Sequence, residues 1–162
     1  MKRRIFSIVL ALALLMLGLY VISPSYRVGQ VTLISSGTRH SPQEFTLHSL
    51  RILDGRSVSA SGIPFHILLE DALETMPEIS YTDDLQIVVR GRFGEIDTGR
   101  QAIPGNHNGI RLIGVFPEDF TDGAATISLP DETGTYLVVV DVRWSGRGEE
   151  FTIMRYVFKI VR

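Results

Sequence analysis

Cysteine is absent from the 162-residue chain. That excludes disulfides, thiolate metal sites and a lipid-modified lipobox cysteine, though it marks no particular compartment. Lysine is scarce, with only Lys2 and Lys159, and the other basic residues are arginines scattered beyond the N-terminal cluster, Arg90 and Arg92 alone standing close together. The formal net charge is −2, and because Lys2, Arg3 and Arg4 all precede the apolar leader, the remainder carries −5. A mildly acidic domain lacks the basic footprint that phosphate binding needs, so nucleic acid is not expected as a partner. Internal repeats and low-complexity tracts are missing too.

Catalytic patterns are equally sparse. There is no Gly-x-Ser-x-Gly elbow, and no phosphate-cradling glycine loop opens a helix. His40, His48, His66 and His107 lack zinc spacing; His40, Glu44 and His48 would align only on a helix that Pro42 opposes. Asp97-Thr98-Gly99 matches the aspartic-protease tripeptide, and Leu112-Ile113-Gly114 the glycine element that packs near it. Glu95 before and Arg100 after do not suit that site, and the glycine element follows too soon. Asp83, Asp84, Asp119 and Asp122 offer oxygen ligands, but not in the alternating loop of a calcium site. No catalytic residue, cofactor or metal is therefore expected.

What is present begins with Met1–Tyr26. Ile5 to Ile22 carries no charge, and a bilayer-spanning helix needs about 20 apolar residues to cross about 30 Å of hydrocarbon. Lys2-Arg3-Arg4 holds the N-terminal side in the cytoplasm, which places the rest outside. The expectation is a single-pass protein of the cytoplasmic membrane, with residues 1–26 as anchor and 27–162 as an extracytoplasmic domain. A signal peptide cleaved near Ser25 is the alternative, and the domain would then be secreted; the length of the run and Pro24 favour the anchor.

About 135 residues after the anchor suffice for a single unstapled core. Arg27–Ser35 reads as a first strand and Thr38–Gly62 as polar and irregular, with Phe45, Leu47, Leu50 and Ile52 as a possible strand and Asp54-Gly55 as a turn. Pro64–Met76 reads as one amphipathic helix, with Pro64 at its start and Pro77 ending it. Phe65, Leu68, Leu69, Ala72, Leu73 and Met76 form its stripe; Glu70, Asp71, Glu74 and Glu78 make the other side acidic. Asp84–Arg90, Ile110–Phe116 and Ala125–Leu129 read as strands, with Arg92–Ile96 extending the first of these or pairing back. Asp97–Gly109 is expected to be an exposed loop.

The strongest pattern is Thr135–Val161. Tyr136, Val138, Val140, Val142 and Trp144 alternate onto one face, as do Thr152, Met154, Tyr156, Phe158 and Ile160. Ser145–Glu150, with two glycines, separates the two runs. That is a β-hairpin with an apolar, aromatic face, which needs a second layer to cover it. Turn signals every eight to twelve residues suit an all-β sandwich.

Glu132-Thr133-Gly134-Thr135-Tyr136 resembles the tyrosine corner of immunoglobulin-like sandwiches, where a tyrosine hydroxyl bonds back to upstream backbone. Val138 stands where an antibody domain has cysteine, so the resemblance is to the disulfide-free relatives. A second, broader pattern runs from the helix through Ile79–Ile87, Gly134–Tyr136, Trp144–Gly146 and Tyr156–Val161. It is similar to small exported, membrane-anchored domains of Gram-positive bacteria whose functions are unassigned. The resemblance implies a mainly β fold: an immunoglobulin-like antiparallel β-sandwich with one short helix, preceded by an N-terminal transmembrane helix. Gly134, Tyr136, Trp144, Tyr156 and Phe158 are its expected structural residues. The functional expectation is a binding domain of the bacterial cell envelope, held at the membrane through Ile5 to Ile22 and engaging an envelope protein through end loops such as Asp97–Gly109 or Ser145–Glu150. A sensory or regulatory subunit of a membrane enzyme or transporter is the alternative, and a hydrolase of unrecognised type the third.

Overall fold

Two eleven-residue strands, β12 (Thr135–Ser145) and β13 (Phe151–Val161), form the antiparallel hairpin at the centre of the molecule. The computed structural model describes residues 11–12, 14, 26–53, 56–62, 72–91, 94–97, 106–107 and 109–162. Within them the chain is mainly β. In order it runs through β1 (Gln30–Ser35), β2 (Thr38–His40), β3 (Gln43–Leu53), β4 (Arg56–Ser61), β5 (Glu78–Ser80), β6 (Gln86–Arg90), β7 (Gly94–Ile96), β8 (Asn106–His107), β9 (Ile110–Gly114), β10 (Phe120–Thr121) and β11 (Ala124–Thr126) before the hairpin.

Two sheets result. The smaller has the order β10-β11-β6-β1-β2, all antiparallel. The larger has the order β4-β3-β13-β12-β9-β8. The hairpin strands are longer than their neighbours, so each outer edge is shared. β9 runs parallel beside the first half of β12 and β7 antiparallel beside its end. On the other side β3 pairs antiparallel with Phe151–Val157 and β5 parallel with Lys159–Val161. One register shift lies between Ile153 and Met154, where the partners jump from His48 to Thr46 and leave Leu47 as the extra residue of a bulge.

The expected alternation holds residue for residue. Tyr136, Val138, Val140, Val142 and Trp144 meet Tyr156, Phe158 and Ile160 on one face of the hairpin. Val31, Leu33, Leu85, Ile87, Ala125, Ile127 and Leu129 from the smaller sheet's side complete this core. Each fully buried large side chain here contributes about 1.5–3 kcal/mol. The opposite face of the hairpin is buried as well. Leu137, Val139 and Val157 pack with Phe45, Leu112, Ala72 and Met76, so the segment around residue 72 roofs the outside of the larger sheet. Buried on both faces, β12 reads as a nearly continuous apolar run instead of a strict alternation.

Several expectations change. Thr38–Gly62 is not irregular: β2, β3 and β4 occupy most of it, and β3–β4 is a ladder from His48↔Ser61 to Leu53↔Arg56. Its exposed residues gave no apolar alternation, because neither face of β4 is covered. Of Arg92–Ile96, residues 92–93 lie outside the described residues, and Gly94–Ile96 pairs not with β6 but with β12 in the other sheet. Within Asp97–Gly109, Asn106–His107 pairs with β9, while 98–105 and 108 lie outside the described residues. Of the expected helix, 64–71 lie outside them too. Ala72 and Leu73 are helical, and the amides of Thr75 and Met76 close on the Ala72 carbonyl just before Pro77. Most of Ile5 to Ile22 also lies outside; among the described residues no helix is long and apolar enough to cross a membrane.

Candidate functional site

The hairpin's two ends hold the polar structure of the domain. At the turn end, Trp144 is fully buried. Its Nε1–H donates to the Tyr156 hydroxyl at 2.7 Å, and that hydroxyl donates to the Met154 sulfur at 3.6 Å. Burial pushes the Tyr156 phenol well above its ordinary pKa, so it stays protonated and serves as acceptor and donor together. The indole lies against Gly29, Gly91 and Gly94. A Cβ on any of these would come within 2.5, 2.3 and 2.3 Å of a ring carbon, respectively. Glycine here provides room for an aromatic ring instead of an unusual turn. Sequence reasoning found Trp144 and Tyr156 but missed the three glycines, because nothing local links Gly29 to Gly91 and Gly94 or any of them to Trp144.

At the opposite end the Tyr136 hydroxyl donates to the Glu132 carbonyl at 2.6 Å, four residues upstream, as a tyrosine corner does. Arg111 reaches in from β9. Its Nη1 donates to the Tyr136 hydroxyl at 3.3 Å, its guanidinium lies over the ring at 5.8 Å, and its Nη2 pairs with the Glu132 carboxylate. That carboxylate raises the pKa of the Arg111 guanidinium further. Gly134 exchanges both backbone bonds with Arg162, which extends the hairpin ladder by one pair. Arg162 then donates to the Leu129 and Pro130 carbonyls and to Asp131, and stacks on Tyr81 at 4.5 Å. Phe158 is buried between the sheets. Gly134, Tyr136, Trp144, Tyr156 and Phe158 thus all sit along the hairpin, but Tyr136 and Trp144 lie at opposite ends of it and do not converge.

A third polar feature was not foreseen. Asp141 and Arg155 face each other across the hairpin and form a bidentate ion pair, Nε to Oδ1 at 2.8 Å and Nη2 to Oδ2 at 2.7 Å. Both are buried. They lie on the face of the ribbon opposite the aromatic one, the same face as Leu137, Val139 and Val157, which is buried as well.

Other residues weighed for chemistry stay apart. The imidazole of His48 has Ser59 and Ser61 hydroxyls at 3.4 Å on its two nitrogens, so a carboxylate does not orient it as a triad would require. The Asp84 carboxylate accepts the Ser36 amide, and bonds from Thr82 and then Ser36 hold its pKa below the ordinary value. Asp119 accepts the Phe116 amide at 2.7 Å, and Asp122 occupies the left-handed position of the β10–β11 turn. Among the described residues no three His, Cys, Asp or Glu converge as metal ligands. Asp97 donates its amide to the Asp141 carbonyl; Thr98 and Gly99 lie outside the described residues. A shallow depression on the exposed face of the smaller sheet is lined by Gln30, Thr32, Ile34, Arg39, Val88 and Arg90.

No protein-family model matches the chain, and no curated protein or solved structure is significantly similar to it. The functional reading therefore rests on the residues alone. What the described residues form is two packed β-sheets with polar side-chain networks at both ends of the central hairpin.

Proposed function

We propose that the chain is a membrane-anchored binding domain of the bacterial cell envelope, with Ile5 to Ile22 in the cytoplasmic membrane and an immunoglobulin-like sandwich outside. One observation carries it: an uncharged apolar run behind Lys2-Arg3-Arg4 ends at Ile22, and β1 begins at Gln30. A bilayer-length segment with positive charge on its leading side orients outward whatever follows it. The tyrosine-corner bond of Tyr136 supports the immunoglobulin-like assignment, and the two long hairpin strands give the scaffold from which end loops engage an envelope protein. The absence of cysteine makes the test clean. Ser57→Cys, on exposed β4, becomes the only thiol in the chain. A membrane-impermeant maleimide should label it in intact cells, and carbonate washing should leave the chain in the membrane fraction. Labelling only after lysis sinks the proposed orientation, and release by carbonate sinks the anchor.

A further inference from the structure

The end of the sandwich that receives the chain from the anchor differs in chemistry from the end that does not. Gly29, Arg90 and Trp144 meet there, and the β3–β4 hairpin reaches the same end, where the Ile52 amide donates to Glu150 at 2.9 Å. Three exposed aliphatic side chains, Val28, Ile52 and Val58, lie at this end. With them stand Arg27, Arg56, Arg90 and Arg143, and among the described residues none of these four is in an ion pair. Arg143 instead lies over the Phe151 ring at 4.1 Å. Arg51 and Arg147 add to the positive charge, against Glu95, Asp122, Glu149 and Glu150. The opposite end, eleven residues or about 35 Å away along the hairpin, has the reverse balance. There Arg111, Lys159 and Arg162 are each paired, with Glu132, Glu78 and Asp131, while Arg39 stands against Asp83 and Asp84, none of the three in an ion pair among the described residues.

We infer that this arginine-bearing, aliphatic end rests on the anionic lipid surface of the membrane that the anchor enters. The inference depends on the anchored reading above and adds orientation and lipid class to it. Arginine with exposed aliphatic side chains is the combination that binds the headgroup boundary, the guanidinium meeting phosphate and the aliphatic groups meeting acyl chain. The tether fits: the seven residues from Ile22 to Gly29 reach at most about 25 Å. The domain would stand with the turn end of its hairpin toward the membrane and its acidic end and tyrosine corner held outermost for a partner.

The test uses the full chain in lipid nanodiscs, with a bimane label on Val58→Cys or, at the far end, on Thr133→Cys. The quencher is a nitroxide on the lipid headgroup. Quenching should be several-fold stronger at 58 than at 133 when phosphatidylglycerol is present. The contrast should shrink in pure phosphatidylcholine, in about 1 M salt, where the screening length falls to about 3 Å, and in Arg56→Gln/Arg90→Gln. Equal quenching at the two labels, or a contrast indifferent to anionic lipid, overturns the inference while leaving the anchor intact. A chain that does not co-elute with the discs overturns both readings.

Discussion

Gly94→Ala tests how Trp144 is held. A methyl at 94 would lie 2.3 Å from Cζ3, 2.8 Å from Cη2 and 2.9 Å from Cε3 of the indole. Carbon atoms rest about 3.5–4.0 Å apart, so the ring must retreat by about 1 Å or more. It has little room, since Gly29 and Gly91 lie against Cζ3 and Cη2 of the same ring edge and Nε1 is tied to Tyr156. Overpacking of this kind costs about 1–3 kcal/mol. If the ring tilts far enough to break the bond to Tyr156, two buried polar groups are orphaned and the loss approaches the top of that range or passes it. In a domain of this size 1 kcal/mol is worth about 4 °C, so the melting temperature should fall by about 4–12 °C. The deciding measurement is a double-mutant cycle by circular dichroism in urea, with Trp144→Phe as the second change. Trp144→Phe is itself destabilising, through the cavity and the lost Nε1 bond, but in its background the alanine methyl has space. The two changes should therefore couple by about 1–3 kcal/mol, the double mutant being more stable than the sum predicts. Equal cost of Gly94→Ala in both backgrounds would refute the cradle.

Two further outcomes follow from the buried polar groups. Arg155→Met leaves the Asp141 carboxylate in the interior without its guanidinium and should cost about 3–5 kcal/mol, whereas Asp141→Leu/Arg155→Met should be near neutral or stabilising; a single mutant within about 1 kcal/mol of the parent would show that water reaches Asp141. The raised pKa of Tyr156 ties stability to alkaline pH. Below about pH 10 the phenol is protonated in both states and the native contribution is complete. Above it the unfolded chain releases the proton first and so binds fewer protons than the native state, and stability declines as pH rises. Melting curves from pH 8 to 11 should show this decline, and it should be shallower in Tyr156→Phe; equal slopes would mean that the phenol ionises normally.

How far the chain could be read in advance varied along its length, for physical reasons. The hairpin was legible because aromatic and β-branched side chains recur with a period of two over eleven residues per strand, and a one-residue slip would turn every aromatic away from the smaller sheet. Tyr136 was legible because its corner is local: the hydroxyl's acceptor is four residues away. β3 was legible only through Phe45, Leu47, Leu50 and Ile52, and β4 was not, since a strand that covers nothing carries no apolar signature. β9 was legible as a strand within Ile110–Phe116, but its parallel pairing with β12, like that of β5 with β13, was not, as such pairing depends on chain separations that no local pattern encodes.

The sequence by itself determined the central ribbon, the face it turns to the core, the corner that starts it and the charge-free run expected to hold it to a membrane. All of these arise from period, spacing and composition. Only the tertiary structure decided that Asp141 and Arg155 are interior, that Gly29 joins Gly91 and Gly94 in making space for one indole, and that four arginines outside any ion pair among the described residues gather at the end where the chain enters. Those are properties of surfaces brought together from remote segments, and burial and net field exist only once the segments meet.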